Sequence, residues 1–180
     1  LTTPLVCPGS AKDSLWPIHR ALASQEPGLV WGLLEQHERQ GIPLPPGVVA
    51  FAVGHATIPS FRSLLSHGLV QGLPESELAA AAFASVGRPL PGALVALEAA
   101  GLDLVGCRDG EGWDLMQRAA QQGCVSVLLV MAKRGPGLEE GREVGPTPGD
   151  LLRLNHPQLC EALGVEMVQE TPKVRVLRPR

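Results

Sequence analysis

Apolar residues recur along this chain in short runs with helical spacing, each run cut off by Gly or Pro. The clearest case is Gly112–Gly135, which reads G-W-D-L-M-Q-R-A-A-Q-Q-G-C-V-S-V-L-L-V-M-A-K-R-G. A short helix carrying Ala119 and Ala120 ends at Gly123, a second apolar run follows, and Gly135 closes the unit. From Ala119 to Gly135 is sixteen residues, and from Ala52 to Gly68, in V-A-F-A-V-G-H-A-T-I-P-S-F-R-S-L-L-S-H-G, is again sixteen. Gly68 and Gly135 are expected at left-handed helix ends, where the missing Cβ removes the steric cost.

The same pattern recurs with slippage three more times. Asp13–Gly41 holds W-P-I-H-R-A-L-A, a break near Glu26-Pro27, then L-V-W-G-L-L-E-Q. Glu77–Asp103 holds L-A-A-A-A-F-A, a break from Gly87 to Gly92 with about four extra residues, then A-L-V-A-L-E-A-A-G-L-D. Gly145–Leu163 holds G-P-T-P-G-D-L-L, a break at Asn155-His156-Pro157, then Q-L-C-E-A-L. Landmark positions Ala21, Ala52, Ala81, Ala119 and Leu152 are spaced by 31, 29, 38 and 33 residues. Each unit is read as helix, tight break, helix, Gly-terminated loop. Pro17 fits a first helical turn, with Asp13 or Ser14 as cap, and Pro27 and Pro157 mark second-helix starts. A pair of such short helices buries too little apolar surface alone, so the units must stack. The fold expected is all-α, a solenoid of stacked helix-turn-helix units over residues 13–164. An N-terminal extension, 1–12, precedes it and a basic tail, 165–180, follows.

Composition narrows the function classes. Of 180 residues, 44 % are hydrophobic and 18 % charged, which excludes intrinsic disorder. Aromatics are scarce, three Trp, three Phe and no Tyr, so the core is built from Leu, Val and Ala. The net charge of −3 argues against general nucleic-acid binding. The exception to test is the tail, where Lys173, Arg175, Arg178 and Arg180 occur without an acid. No apolar run approaches the ~20 residues that span a bilayer. Leu1–Ser10 has neither the charged nor the apolar region of a signal peptide. A cytoplasmic monomer, not inserted in a membrane, is the expectation. Cys7, Cys107, Cys124 and Cys160 form no C-x-x-C pair and are read as reduced thiols, Cys124 and Cys160 as packed ones.

Several of these segments resemble an ankyrin-repeat protein, whose pattern runs D-G-x-T-P-L-H-x-A-A-x-x-G-H. Trp16-Pro17-Ile18-His19-Arg20-Ala21 is similar to T-P-L-H-x-A. Asp109 with Gly112, then Ala119-Ala120-Gln121-Gln122-Gly123, is similar to D-x-x-G followed by A-A-x-x-G. Gly145–Leu151 resembles G-x-T-P-x-D-L, and Gly101-Leu102-Asp103 the G-A-D that ends a repeat. The second and third units keep only the helical spacing. Trp16 replaces the Thr whose hydroxyl would bond the His ring, and Gln117 stands where His is usual, so the resemblance implies an incomplete hydrogen-bond ladder between repeats. It also implies a non-enzymatic protein that binds another protein through a concave face of loop tips and first helices.

On that face the resemblance places Trp113, Arg118, Gln121, Gln122, Arg108 and Glu111 in the fourth unit, and Arg20, Phe51 and His55 in the first two. Trp113 is the foremost anchor, because Trp and Arg dominate interface energetics. Its competing role is packing against the next unit's loop; Phe51 competes for a place in the core. His19 is expected to bond backbone at a helix start, His37 to lie exposed, and Trp31 to pack on the N-terminal segment. No metal ligand set or cofactor motif is present: His55 and His67 lie twelve apart with no third ligand, and the glycines at 106, 110 and 112 lack the G-K-[ST] of a phosphate loop. An inhibitor or immunity-type protein that blocks another protein's active site would use the same face. An enzyme is the reading from another class, with Cys107, beside Arg108 in an exposed loop, and His55 as its residues.

Overall fold

The computed structural model describes residues 16–167 except Gln25, Gly72, Pro89, Pro91 and Pro136. Regular structure there is helical: α1 (Pro17–Ala23), α2 (Pro27–Gln40), α3 (Val48–His55), α4 (Ile58–Ser66), the single turn α5 (Gly68–Gln71), α6 (Glu75–Gly87), α7 (Ala93–Ala99), α8 (Leu115–Gln122), α9 (Val125–Met131), α10 (Pro148–Asn155) and α11 (Pro157–Cys160). The last runs into a 3-10 turn, Glu161–Leu163. No strand occurs among the described residues; extended pairing is limited to an isolated antiparallel bridge between Arg108 and Asp114. The extension 1–12, the caps proposed at Asp13 and Ser14, Cys7 and the basic residues from Lys173 onward lie outside the described residues. None of the described helices is long and apolar enough to cross a membrane.

The breaks fall where Pro and Gly place them. Pro27 opens α2 and Pro157 opens α11. The Gly87–Gly92 segment separates α6 from α7. Gly41, Gly123 and Gly164 end their helices in the left-handed conformation. Two glycines behave otherwise. Gly68 does not close α4 but opens α5, as the Val70 N–H bonds the His67 carbonyl and starts a new turn. Gly135 has no positive φ. The end of α9 is closed instead by Arg134, whose guanidinium bonds the Val130 carbonyl and both carboxylate oxygens of Glu98.

Small residues at the landmark positions let the first helices approach one another. Ala21, Ala52, Ala81, Ala119 and Leu152 are all buried. Through them α1 packs on α3, α3 on α6, α6 on α8 and α8 on α10. Each of these helices also packs on the one that follows it in its unit: α2, α4, α7, α9 or α11. Leu34, Leu64, Leu97 and Leu128 of the second helices fill the layer beneath, each burial contributing about 1.5–3 kcal/mol. That layer is tight between α2 and α4 and looser further on. Between α7 and α9 lies an apolar cleft of about 280 Å³, lined by Leu90, Leu94, Val95, Val127 and Val130.

Gly123 shows how tightly the last two units meet. Its φ is +69°, and a Cβ there would lie 2.8 Å from the imidazole of His156, whose Nε2 contacts the Gln121 carbonyl at 3.0 Å. Gly32 is the opposite case: it lies inside α2 with open space around its Cα. Gly123→Ala should therefore lower unfolding free energy in urea by about 1–3 kcal/mol, and Gly32→Ala should raise it by about 0.5–1 kcal/mol.

Candidate functional site

The fourth unit begins with a hairpin-like turn that its own side chains hold shut. Asp109 Oδ1 accepts from the backbone N–H groups of Glu111 (2.9 Å) and Trp113 (3.0 Å). The Asp109 N–H donates back to the Trp113 carbonyl at 3.0 Å. Gly112, at φ +81°, makes the reversal possible. Asp114 then caps α8: its carboxylate accepts from the Gln117 N–H at 2.7 Å, while Gln117 Oε1 accepts from the Asp114 N–H at 2.9 Å. This reciprocal capping box fixes where α8 starts. Thr147 and Asp150 form the same box at the start of α10.

Arg118, one turn into α8, reaches back over this hairpin. Its guanidinium bonds the Asp109 carboxylate, Glu111 Oε2 at 2.8 Å and Gln121 Oε1 at 2.9 Å. Its Cζ lies 4.6 Å from the centroid of the Trp113 ring, a cation–π contact. Four of the expected face residues, Trp113, Arg118, Glu111 and Gln121, thus form one cluster, with Asp109 as its hub. Burial alone would raise the Asp109 pKa. Hydrogen bonds from Arg118 and from the N–H groups of Trp113 and Glu111 outweigh it and hold the carboxyl below the ordinary aspartate value.

The other expected face residues stand apart from this cluster. Gln122 is exposed and turned toward Gly87 at the end of α6. Arg108 folds back onto the carbonyls of Val105 (2.7 Å) and Cys107 (2.9 Å). Phe51 is half-buried between two imidazoles, its centroid 4.5 Å from that of His19 and 4.3 Å from that of His55. Arg20 is exposed in the last turn of α1. His19, Phe51 and His55 make a second, aromatic group at the α1–α3 end of the row, with α6 between it and α8.

Several expectations are corrected. His19 does not show the expected backbone bond through Nδ1, which is buried without a hydrogen-bond partner among the described residues. It stacks on Phe51 instead, and burial holds its pKa below the ordinary histidine value. His37 is fully buried rather than exposed, with Nδ1 3.2 Å from the Ile42 carbonyl. Trp31 lies on the exposed side of α2; its edge packs on His67, centroids 5.1 Å apart, and its Nε1 donates to Glu35, while the N-terminal segment proposed as its partner lies outside the described residues. Cys107 is buried, not exposed, and its thiol donates to the Leu104 carbonyl. Burial, reinforced by the Asp103 and Asp114 carboxylates and only partly offset by Arg108, pushes that thiol up to about 11, which keeps it protonated at neutral pH. Among the described residues no group of three or more His, Cys, Asp and Glu is placed to hold a metal ion.

Sequence reasoning also missed how the fifth unit's loop is fastened. Gln117, the residue in place of His, donates through Nε2 to the carbonyls of Val144 (2.7 Å) and Pro146 (2.9 Å). The bond between units that was expected to be lost is therefore made by an amide. Arg142 Nε pairs with Asp114 Oδ2 at 2.6 Å, both side chains nearly buried, and its other nitrogens reach the carbonyls of Glu140 and Gly137. An Asp-x-x-Gln capping signal was visible in the sequence, but nothing local marks Arg142, because its partner lies 28 residues away. Comparison of the chain with protein-family models, curated proteins and solved structures gave no match.

Two outcomes follow from this geometry. Arg142→Met leaves a buried carboxylate unpaired and should cost about 3–5 kcal/mol in chemical denaturation. Adding Asp114→Asn, which keeps the cap acceptor but removes the charge, should recover part of that loss. Asp109 has a folded pKa below its unfolded value of about 3.9, so its stabilisation is complete above that pH and is lost as pH falls through the folded pKa. Stability of Asp109→Asn should then fall less between about pH 4 and pH 2 than that of the parent chain. Asp150 and Glu98, also held low by their partners, cancel in the difference.

Proposed function

We propose that this chain is a non-enzymatic protein-binding module, a short solenoid of about five ankyrin-like helix pairs that grips another protein with its first helices and loop tips. Three features support the repeat reading. First helices pack on one another in chain order, each with its own second helix. Capping boxes recur at equivalent places, Asp114 and Thr147. Gln117 ties one unit's helix start to the next unit's loop.

One observation carries the binding reading: a tryptophan at a loop tip is half-buried, stacked on an arginine and held in place before any partner arrives. Aromatic and arginine side chains of this kind dominate interface hot spots. Their fixed geometry lowers the ordering cost of association. Cys107, protonated and buried, is a poor nucleophile, so the Cys107–His55 enzyme reading draws no support from its geometry.

Trp113→Ala should weaken binding of a captured partner by at least about 2 kcal/mol, roughly thirtyfold in Kd, with little change in melting temperature. Isothermal titration calorimetry and thermal denaturation of the same variant decide the matter. An equal loss of stability would assign Trp113 to packing against the fifth unit's loop and remove it from the binding face.

A further inference from the structure

Resting on the binding-module reading, we infer that the adjoining loop tips at residues 109–113 and 143–146 dock a basic segment of another protein. One apolar side chain of that segment sits on Trp113 and Val144, between the carboxylates of Glu111 and Glu143.

The apolar part of this surface crosses from one loop to the next. The Val144 side chain lies over Gly112, where a Cβ would meet it at 3.5 Å, and the indole of Trp113 lies against Gly145, where a Cβ would sit 3.1 Å from Nε1. Val144 remains 46 % exposed despite this contact, and with the half-buried Trp113 it carries apolar surface across both loops. Both loops are fastened from below, one by Asp109 and the other by Gln117, so the surface is preformed.

Charge sets the sign of the partner. Residues 108–118 and 137–147 together hold six carboxylates against three guanidiniums, an excess as large as the net charge of the whole chain. All three arginines are engaged internally: Arg108 on the Val105 and Cys107 carbonyls, Arg118 on Asp109 and Glu111, Arg142 on Asp114; Glu139 is taken by Arg153 of α10, which leaves the carboxylates of Glu140 and Glu143 without an arginine among the described residues. What faces water beside Trp113 and Val144 is negative, since Glu111 keeps 70 % of its side chain exposed and Glu143 is exposed next to Val144. An acidic segment would meet repulsion here, and a neutral apolar one would gain nothing from Glu143, which no arginine reaches among the described residues; a segment with Lys or Arg on either side of a large apolar residue meets both requirements.

The test uses the full chain and three fluorescein-labelled dodecapeptides: one with Lys and Arg around a central Leu, one with Glu and Asp in place of the bases, and one with Ser in place of the Leu. The basic, Leu-bearing peptide should bind at least tenfold more tightly than either of the others in fluorescence anisotropy, and more weakly as salt rises. Its NMR shift changes should centre on the Trp113 indole and the amides of Gly112 and Gly145. Glu143→Lys and Val144→Ser, both at exposed positions, should each reduce that affinity at least tenfold. Equal binding of the acidic peptide, unchanged affinity in both variants, shifts centred elsewhere, or no binding at all would overturn the inference. If basic peptides fail while a captured partner still depends on Trp113, the module reading stands and only the stated partner chemistry falls.

Discussion

A helix of seven or eight residues does not persist in water, because nucleation costs more than so few hydrogen bonds return. Most helices here are of that length: α1, α7 and α9 have seven residues, α3, α8 and α10 have eight. Each exists because a neighbour covers its apolar side. The constraint explains the placement of small residues at 21, 52, 81 and 119, where a larger side chain would hold adjacent helices apart. It also explains why the ends of the helices matter so much. In an eight-residue helix nearly every backbone group belongs to a terminus, so capping boxes at Asp114 and Thr147 satisfy a large share of what would otherwise be orphaned.

The same economy links stability to the candidate binding face. Asp114 caps α8 and neutralises Arg142; Gln117 closes the capping box and holds the next loop; Asp109 shapes the hairpin and anchors Arg118. These side chains build the scaffold and, one or two residues away, leave Trp113 half-exposed and Glu111 and Val144 exposed. A surface made this way is rigid without being buried, and rigidity is what separates a recognition site from an exposed loop.

The two ends of the row differ in chemistry. Around α1 and α3 the half-buried His19 and Phe51 meet the exposed His55, with exposed Arg20 in the last turn of α1. Around α8 and α10 the loops carry the acidic surplus. The α6 helix that separates them carries the alanine run Ala79 to Ala82, of which Ala81 and Ala82 are buried.

Much of the architecture was legible in the one-dimensional pattern. Helical spacing of apolar residues, the Pro and Gly breaks at 27, 87–92 and 157, and the five small or apolar landmarks all correspond to described elements, because periodicity and backbone chemistry are local properties. Proximity of Trp113, Arg118, Glu111 and Gln121 was legible too, since they lie within ten residues of one another. What only the tertiary structure decided depends on partners 27 to 36 residues away in neighbouring units: the Arg142–Asp114 pair, the Gln117 bond to the next loop, the stack of His19 on Phe51 and the Arg134 closure that replaced Gly135. Burial of Cys107 and His37 was decided there as well. A side chain's water content is set by what the fold brings over it, and no local pattern of residues carries that information.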